Sequence, residues 1–263
     1  MTRWPVQQIS VGTLTATVLP LGEVSDTLRS WFRADALAIP DGVSRLPVNS
    51  LHVAGVGMSV LIDACDPGLY PDAGPPGGPG ERLEAAGVDP AGITHVIVTH
   101  GHHDHFCGVL TPSGGAAFPR ARHILSPLDW GNGILTAEAQ MADGNVADPS
   151  VLERLFRFGL LDLDETPVPL PPEITLIDTP GETKGHRVVR IASGIGVLYF
   201  LSDLFHVMAE IDDPNLCPIW ADETTLKASR SLIMAAIRRD KARFVCSHLP
   251  DVFTAPVFPK ASR

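Results

Sequence analysis

Long apolar runs are missing from the 263 residues, with none near the roughly 20 that a bilayer-spanning helix needs. The N-terminus, MTRWPVQQIS, has one arginine but no apolar segment or small-residue cleavage site behind it, so no secretory signal is read and a cytoplasmic location is expected. Cysteine is sparse: Cys65, Cys107, Cys217 and Cys246 are far apart with no C-x-x-C spacing, which fits thiols in a reducing compartment rather than a disulfide framework or a zinc ribbon. Lysine and arginine (20) are outnumbered by aspartate and glutamate (30), giving a formal charge of -10 with no basic cluster. Such a chain repels polyanions, so neither nucleic acid nor an anionic membrane is an expected partner; the substrate is expected to be a small, neutral or weakly polar molecule. No G-x-S-x-G elbow marks a serine nucleophile, no P-loop or G-x-G-x-x-G segment marks an in-chain flavin partner, and no 20–50-residue repeat is visible.

What remains is globular: 44% hydrophobic, 19% charged, mean hydropathy +0.15. The length suits one α/β or two-sheet domain over residues 1–263. Residues 9–18 alternate with period two and read as a half-buried edge or hairpin strand, and 51–63 as a second hairpin ending on an aspartate. The Pro/Gly-dense segment that follows reads as an exposed loop before a short helix at 81–87. Strands are predicted at 93–98, 122–125, 174–178, 187–192, 197–202 and 243–247, and helices at 149–158 and 222–239.

The informative stretch is 99–105, THGHHDH, directly after the apolar run ITHVIV. His100, His102, Asp104 and His105 form H-x-H-x-D-H at a strand-to-helix corner, where a tight loop can aim alternate side chains at one centre. Imidazole nitrogens and carboxylate oxygens are the ligands that borderline cations such as zinc prefer. A polar cluster at the end of a buried strand also needs partners, and a cation supplies one. His52, His95 and His123 lie inside strand-like runs and read as structural histidines. Trp31, Phe32 and Trp130 read as packing aromatics able to line a pocket.

From about Leu51 to Pro250 the chain resembles the metallo-β-lactamase fold superfamily. The motifs stand in the family's order: Asp63 in SVLIDAC, the His100–His105 loop, DTPGETKGH (178–186), YFLSDLFH (199–206) and VCSHLP (245–250). The resemblance implies an α/β (α+β) fold, a four-layer αββα sandwich of two mixed β-sheets with helices on both outer faces and metals where strand-end loops converge. It implies one cation on His100, His102 and the third-motif residue, a second on Asp104, His105 and His248, with Asp203 between them and Asp63 holding the loop by hydrogen bonds. The third motif departs from the family: TPGETKGH puts Glu182 where histidine is usual, and His186 would approach from another direction. A carboxylate there makes the site one unit less positive, so the implied cofactors are two divalent ions, zinc first, with manganese or iron favoured by Glu182.

SDLFH and the segment from Asn215 to Pro250 resemble the branch of acyl-homoserine lactonases and methyl-parathion-type hydrolases. That implies cleavage of a small-molecule ester or lactone by a metal-bridged hydroxide. Asp104 would orient the hydroxide and carry its proton to the leaving group, and His206 would face the site as a donor to a substrate oxygen. Phosphotriester hydrolysis is the alternative within the branch. An iron-dependent redox enzyme of the same fold, or a catalytically degenerate metal-binding protein, is the alternative from another class. Segment 20–48 and a helical insertion at 129–163 are expected to wall the pocket and to offer a homodimer contact.

Overall fold

The computed structural model describes residues 4–33, 39, 41–55, 57–65, 79–130, 150–163 and 169–254. In chain order the elements are β1 (Gln7–Val11), β2 (Leu14–Asp26), β3 (Ser44–Gly55), β4 (Met58–Ile62), α1 (Pro79–Ala85), β5 (His95–Ile97) and β6 (Arg122–Ile124). There follow α2 (Ser150–Arg157), β7 (Leu161–Asp162), β8 (Ile174–Asp178), β9 (Arg187–Ser193), β10 (Gly196–Phe200), α3 (Met208–Asp212), α4 (Glu223–Asp240), β11 (Arg243–Val245) and β12 (Phe253–Thr254).

Among the described residues the strands form two sheets, of seven strands in the order β1 to β7 and of five in the order β12-β11-β10-β9-β8. Both are mixed: β1 to β4 pair antiparallel and β4 to β7 parallel, while β10–β11 is the parallel pair of the second sheet. Successive side chains of a strand point to opposite faces, and the packing follows that alternation. Val60, Ile62, Leu198 and Phe200 meet in the core between the sheets. Leu61 and Val96 face outward under Leu83 of α1 and Leu152 and Leu155 of α2. Tyr199 and Phe244 face outward under Leu226, Ile233 and Ile237 of α4. The result is the layered α/β architecture expected. Helix α4 opens on Asp222, whose side chain accepts the Thr225 N–H at 2.8 Å, and closes on Lys241 with φ +48°. Among the described residues no helix is long and apolar enough to cross a membrane, and no disulfide joins the four cysteines.

Several boundaries differ from the sequence reading. The run 9–18 is two strands joined at Gly12, whose φ is +60° and whose Cβ would lie 2.0 Å from the Ser193 carbonyl oxygen. The segment 20–48 has sheet at both ends, with β2 running to Asp26 and β3 beginning at Ser44; a register shift between Pro20 and Gly22 interrupts the alternation that would have betrayed it. Of the insertion at 129–163, residues 131–149 lie outside the described residues, while α2 is helical as read and β7 adds a short strand. The pairings Ile62 with Ile97 and Phe200 with Val245 bring the segments after β4, β5, β10 and β11 to one edge of the sandwich.

Candidate metal centre

That edge begins with Asp63, 1% exposed and at φ +59° just beyond β4. Its Oδ1 accepts the Thr99 N–H at 2.8 Å, and its Oδ2 accepts the Thr99 hydroxyl at 2.9 Å and the His105 Nδ1–H at 2.8 Å. The hydrogen bond to Nδ1 fixes the His105 tautomer and turns Nε2 inward, 3.2 Å from Asp203 Oδ2. His100 Nδ1 lies 3.1 Å from the Thr99 hydroxyl, which also meets Ser202 Oγ at 2.7 Å. His248 donates Nδ1–H to the Pro47 carbonyl at 3.0 Å and presents Nε2 at 3.3 Å from Asp104 Oδ2 and 3.4 Å from Asp203 Oδ2. His102 Nδ1 stands 3.3 Å from Glu182 Oε1.

The seven residues named from the sequence as ligands converge as two groups, His100, His102, Glu182 and Asp203 in one and Asp104, His105 and His248 in the other, each with its ligand atoms within 4.8 Å of one another. Asp203 stands between them, since His105 Nε2 and His248 Nε2 of the second group also lie within 3.4 Å of its Oδ2. Glu182 therefore lies in the first group, beside His102. His186 does not join: its Nδ1 bonds Thr179, and its ring packs 5.0 Å from that of His100.

The donor set fits divalent cations. His100 Nε2, Glu182 Oε2 and Asp203 Oδ1 are buried with no hydrogen-bond partner, and buried polar atoms of this kind need a counterpart. Burial pushes the carboxyls up, yet His105 and His248 hold Asp203 well below the usual carboxylate range, and the neighbouring imidazoles likewise lower Asp104 and Glu182. Burial opposes protonation of His248, but Asp203 and Asp104 raise its pKa to about 9. A pocket this negative draws protons or cations alike. His100, by contrast, is pushed well below its usual value, first by burial, and offers a neutral imidazole.

His206 is 2% exposed, with Nε2 at 3.4 Å from Glu182 Oε1 and 3.5 Å from Asp203 Oδ2. Trp31 and Trp220 approach its ring edge-on, each at 5.9 Å, and His248 stacks on it at 5.9 Å. Trp31 is thus at the site, whereas Phe32 packs with Leu28 and Ile39, and Trp130 against Phe156. His52, His95 and His123 lie away from the centre, on β3, β5 and β6.

Three supports were not singled out from the sequence. The Trp220 indole donates to Glu182 Oε1 at 2.6 Å. Asp129, fully buried, accepts from Gly101 N (2.9 Å), the Thr183 hydroxyl (2.7 Å) and Gly185 N (2.8 Å), and so ties the histidine loop to the Glu182 turn. Glu210 accepts the His206 N–H at 2.6 Å, a link readable only as an H-x-x-x-E spacing. Beside Glu182 a cavity of ≈ 440 Å³ opens, lined by Thr183, Lys184, Trp220, Asp222 and Thr225 among others.

The sequence profile described as the metallo-beta-lactamase superfamily matches residues 43–248, which span the whole centre. The chain belongs to this superfamily. Similar solved structures of the metallo-beta-lactamase fold include AidC, a dizinc quorum-quenching lactonase in complex with a product, with a TM-score of 0.80 at 22% identity, covering 96% of this chain and 95% of that one. The hydrolase AbOPH aligns with a TM-score of 0.79 at 18% identity over 97% of this chain and 94% of its own. A probable metal-dependent hydrolase from Staphylococcus aureus aligns at 0.74 and 18% identity over 91% of both chains. At such identities the likeness establishes the shared fold. No curated protein matches the sequence.

Proposed function

We propose that this metallo-hydrolase cleaves the ester or lactone bond of a small molecule at a centre for two divalent cations. The observation that carries the reading is the convergence of two ligand groups on Asp203, with buried ligand atoms that have no other partner. His100, His102 and Glu182 would hold one cation and Asp104, His105 and His248 the other, with Asp203 shared. Bound there, divalent ions supply Lewis acidity toward a carbonyl oxygen and ionise water near neutral pH.

The chain's own residues do the rest. Asp104, its side chain 14% exposed, is the most open of the three carboxylates and can accept a proton and return it to the leaving oxygen. His206 directs Nε2 toward the same centre and donates to a substrate oxygen. Trp31 and Trp220 wall the approach with aromatic surface suited to an acyl chain or ring. The net charge of -10 disfavours an anionic substrate. The lactonase reading draws further support from AidC, whose bound product is N-hexanoyl-L-homoserine. Glu182 lends one position a harder character, so zinc there competes with manganese and ferrous iron.

Elemental analysis of the purified protein, followed by assay of N-hexanoyl-homoserine lactone, an aryl ester and a phosphotriester, tests the proposal. Chelator-sensitive hydrolysis of the lactone or ester supports it. Preference for the triester would favour the alternative chemistry, and metallated protein that cleaves none of the three overturns the assignment.

A further inference from the structure

Behind His206 lies a buried ion pair that no ligand set requires. Arg230 of α4 and Glu210 of α3 are both fully buried, and Arg230 Nη2 bonds Glu210 Oε1. The guanidinium is pinned on every side: Nε donates to the Leu204 carbonyl at 2.7 Å, Nη1 to those of Leu216 at 2.6 Å and Pro214 at 3.1 Å, and its carbon sits 4.7 Å from the Phe205 ring centroid. The other carboxylate oxygen, Oε2, accepts the backbone N–H groups of His206 (2.6 Å) and Val207 (3.0 Å) and lies 3.3 Å from His206 Nδ1. Capping a five-residue helix needs no buried arginine, and desolvating such a pair costs several kcal/mol per ion. What the pair accomplishes is immobilisation: a carboxylate fixed by Arg230 stands within ion-pair distance of His206 Nδ1, short of hydrogen-bond geometry there, while Nε2 points to Glu182 and Asp203.

We propose that Glu210, locked by Arg230, is a positioning residue that fixes the His206 imidazole with Nε2 turned toward the Glu182–Asp203 side of the centre. The assignment rests on His206 serving as donor to a substrate oxygen, which requires the imidazolium form, with Nδ1–H facing Glu210 and Nε2–H left for the substrate. Misplacing such a group by about 1 Å costs on the order of a hundredfold in rate.

Removing one partner alone would strand a buried charge, so the pair is replaced together. Glu210→Leu/Arg230→Met removes the oxygen facing Nδ1, whereas Glu210→Gln/Arg230→Met retains one there. On N-hexanoyl-homoserine lactone the first is expected to lower kcat about 10–100-fold with little change in KM, and the second to stay within about threefold of the parent. Both should keep the metal content of the parent protein. In an H206Q background the Leu/Met loss should vanish, because there is no imidazole left to hold. Ring nitrogen-15 spectra provide a readout without turnover: a slowly exchanging His206 Nδ1–H in the parent and the Gln/Met variant, and its loss in the Leu/Met variant. Equal losses in both double variants, a loss that persists in H206Q, or a rapidly exchanging Nδ1–H in the parent would overturn the assignment. If H206Q leaves kcat unchanged, the role of His206 falls and this assignment with it, while lactone hydrolysis and the metal centre stand.

Discussion

Trp220→Phe tests what the indole N–H contributes to the candidate ligand at position 182. Phenylalanine keeps one aromatic ring against Trp31 and His206, whose rings lie 5.7 and 5.9 Å from that of Trp220, and deletes the donor to Glu182 Oε1 together with part of the indole's bulk. That bond is 2.6 Å long and ends on a carboxylate whose side chain is fully buried, so it belongs with hydrogen bonds to charged groups, worth about 1.5–3 kcal/mol. Loss of an outer partner that orients a metal ligand lowers affinity about 10–100-fold, equivalent to roughly 1.4–2.7 kcal/mol, so two scales agree. Trp220 is 38% exposed, and water can replace part of what is lost, which places the expectation near tenfold rather than a hundredfold. Competition with a chromophoric chelator measures it, titrating zinc and manganese into metal-free protein. The equivalent held by Asp104, His105 and His248 serves as internal control and should keep its affinity. Unchanged affinity for both equivalents would refute the reasoning, and equal weakening of both would show a general disturbance instead of a lost partner.

Glu182→His removes one negative charge from the first position and should shift its preference from manganese toward zinc, read as the ratio of the two affinities; an unaltered ratio counts against Glu182 as a ligand. Asp129→Ala strands the Gly101 and Gly185 N–H groups and the Thr183 hydroxyl in a buried site, so urea denaturation should show a loss of about 3 kcal/mol or more. A loss under about 1 kcal/mol would mean that water reaches these donors. Burial pushes the His123 pKa down to about 4 from an unfolded value of 6.5, so its contribution is complete above pH 6.5 and is lost as the pH falls toward 4. At roughly 1.4 kcal/mol per unit the parent should lose about 3 kcal/mol more than His123→Phe over that window, and parallel acid limbs for the two proteins would contradict it.

The candidate ligands were legible and their supports were not, for a physical reason. Ligands sit where an apolar run stops, so H-x-H-x-D-H after ITHVIV and Asp203 after VLYFLS announce themselves locally. Even the overextended strand readings, 93–98 and 197–202, err because Val98 and Leu201 stay fully or almost fully buried after the ladder ends; burial, which periodicity reports, outlasts pairing. Trp220, Asp129 and Arg230 instead act across 38, 56 and 20 residues of chain, in segments whose own pattern is ordinary. Asp129 shows the difference most plainly. In sequence it is one acid in a loop, and it becomes a clamp only because Gly185 has no side chain: a Cβ there would lie 2.7 Å from the Asp129 carboxylate. The glycine of the third motif is therefore demanded by a residue outside every motif. The residues of the candidate centre can be read from five short stretches, but how firmly Glu182 is held depends on contacts that exist only once the two sheets have closed on each other.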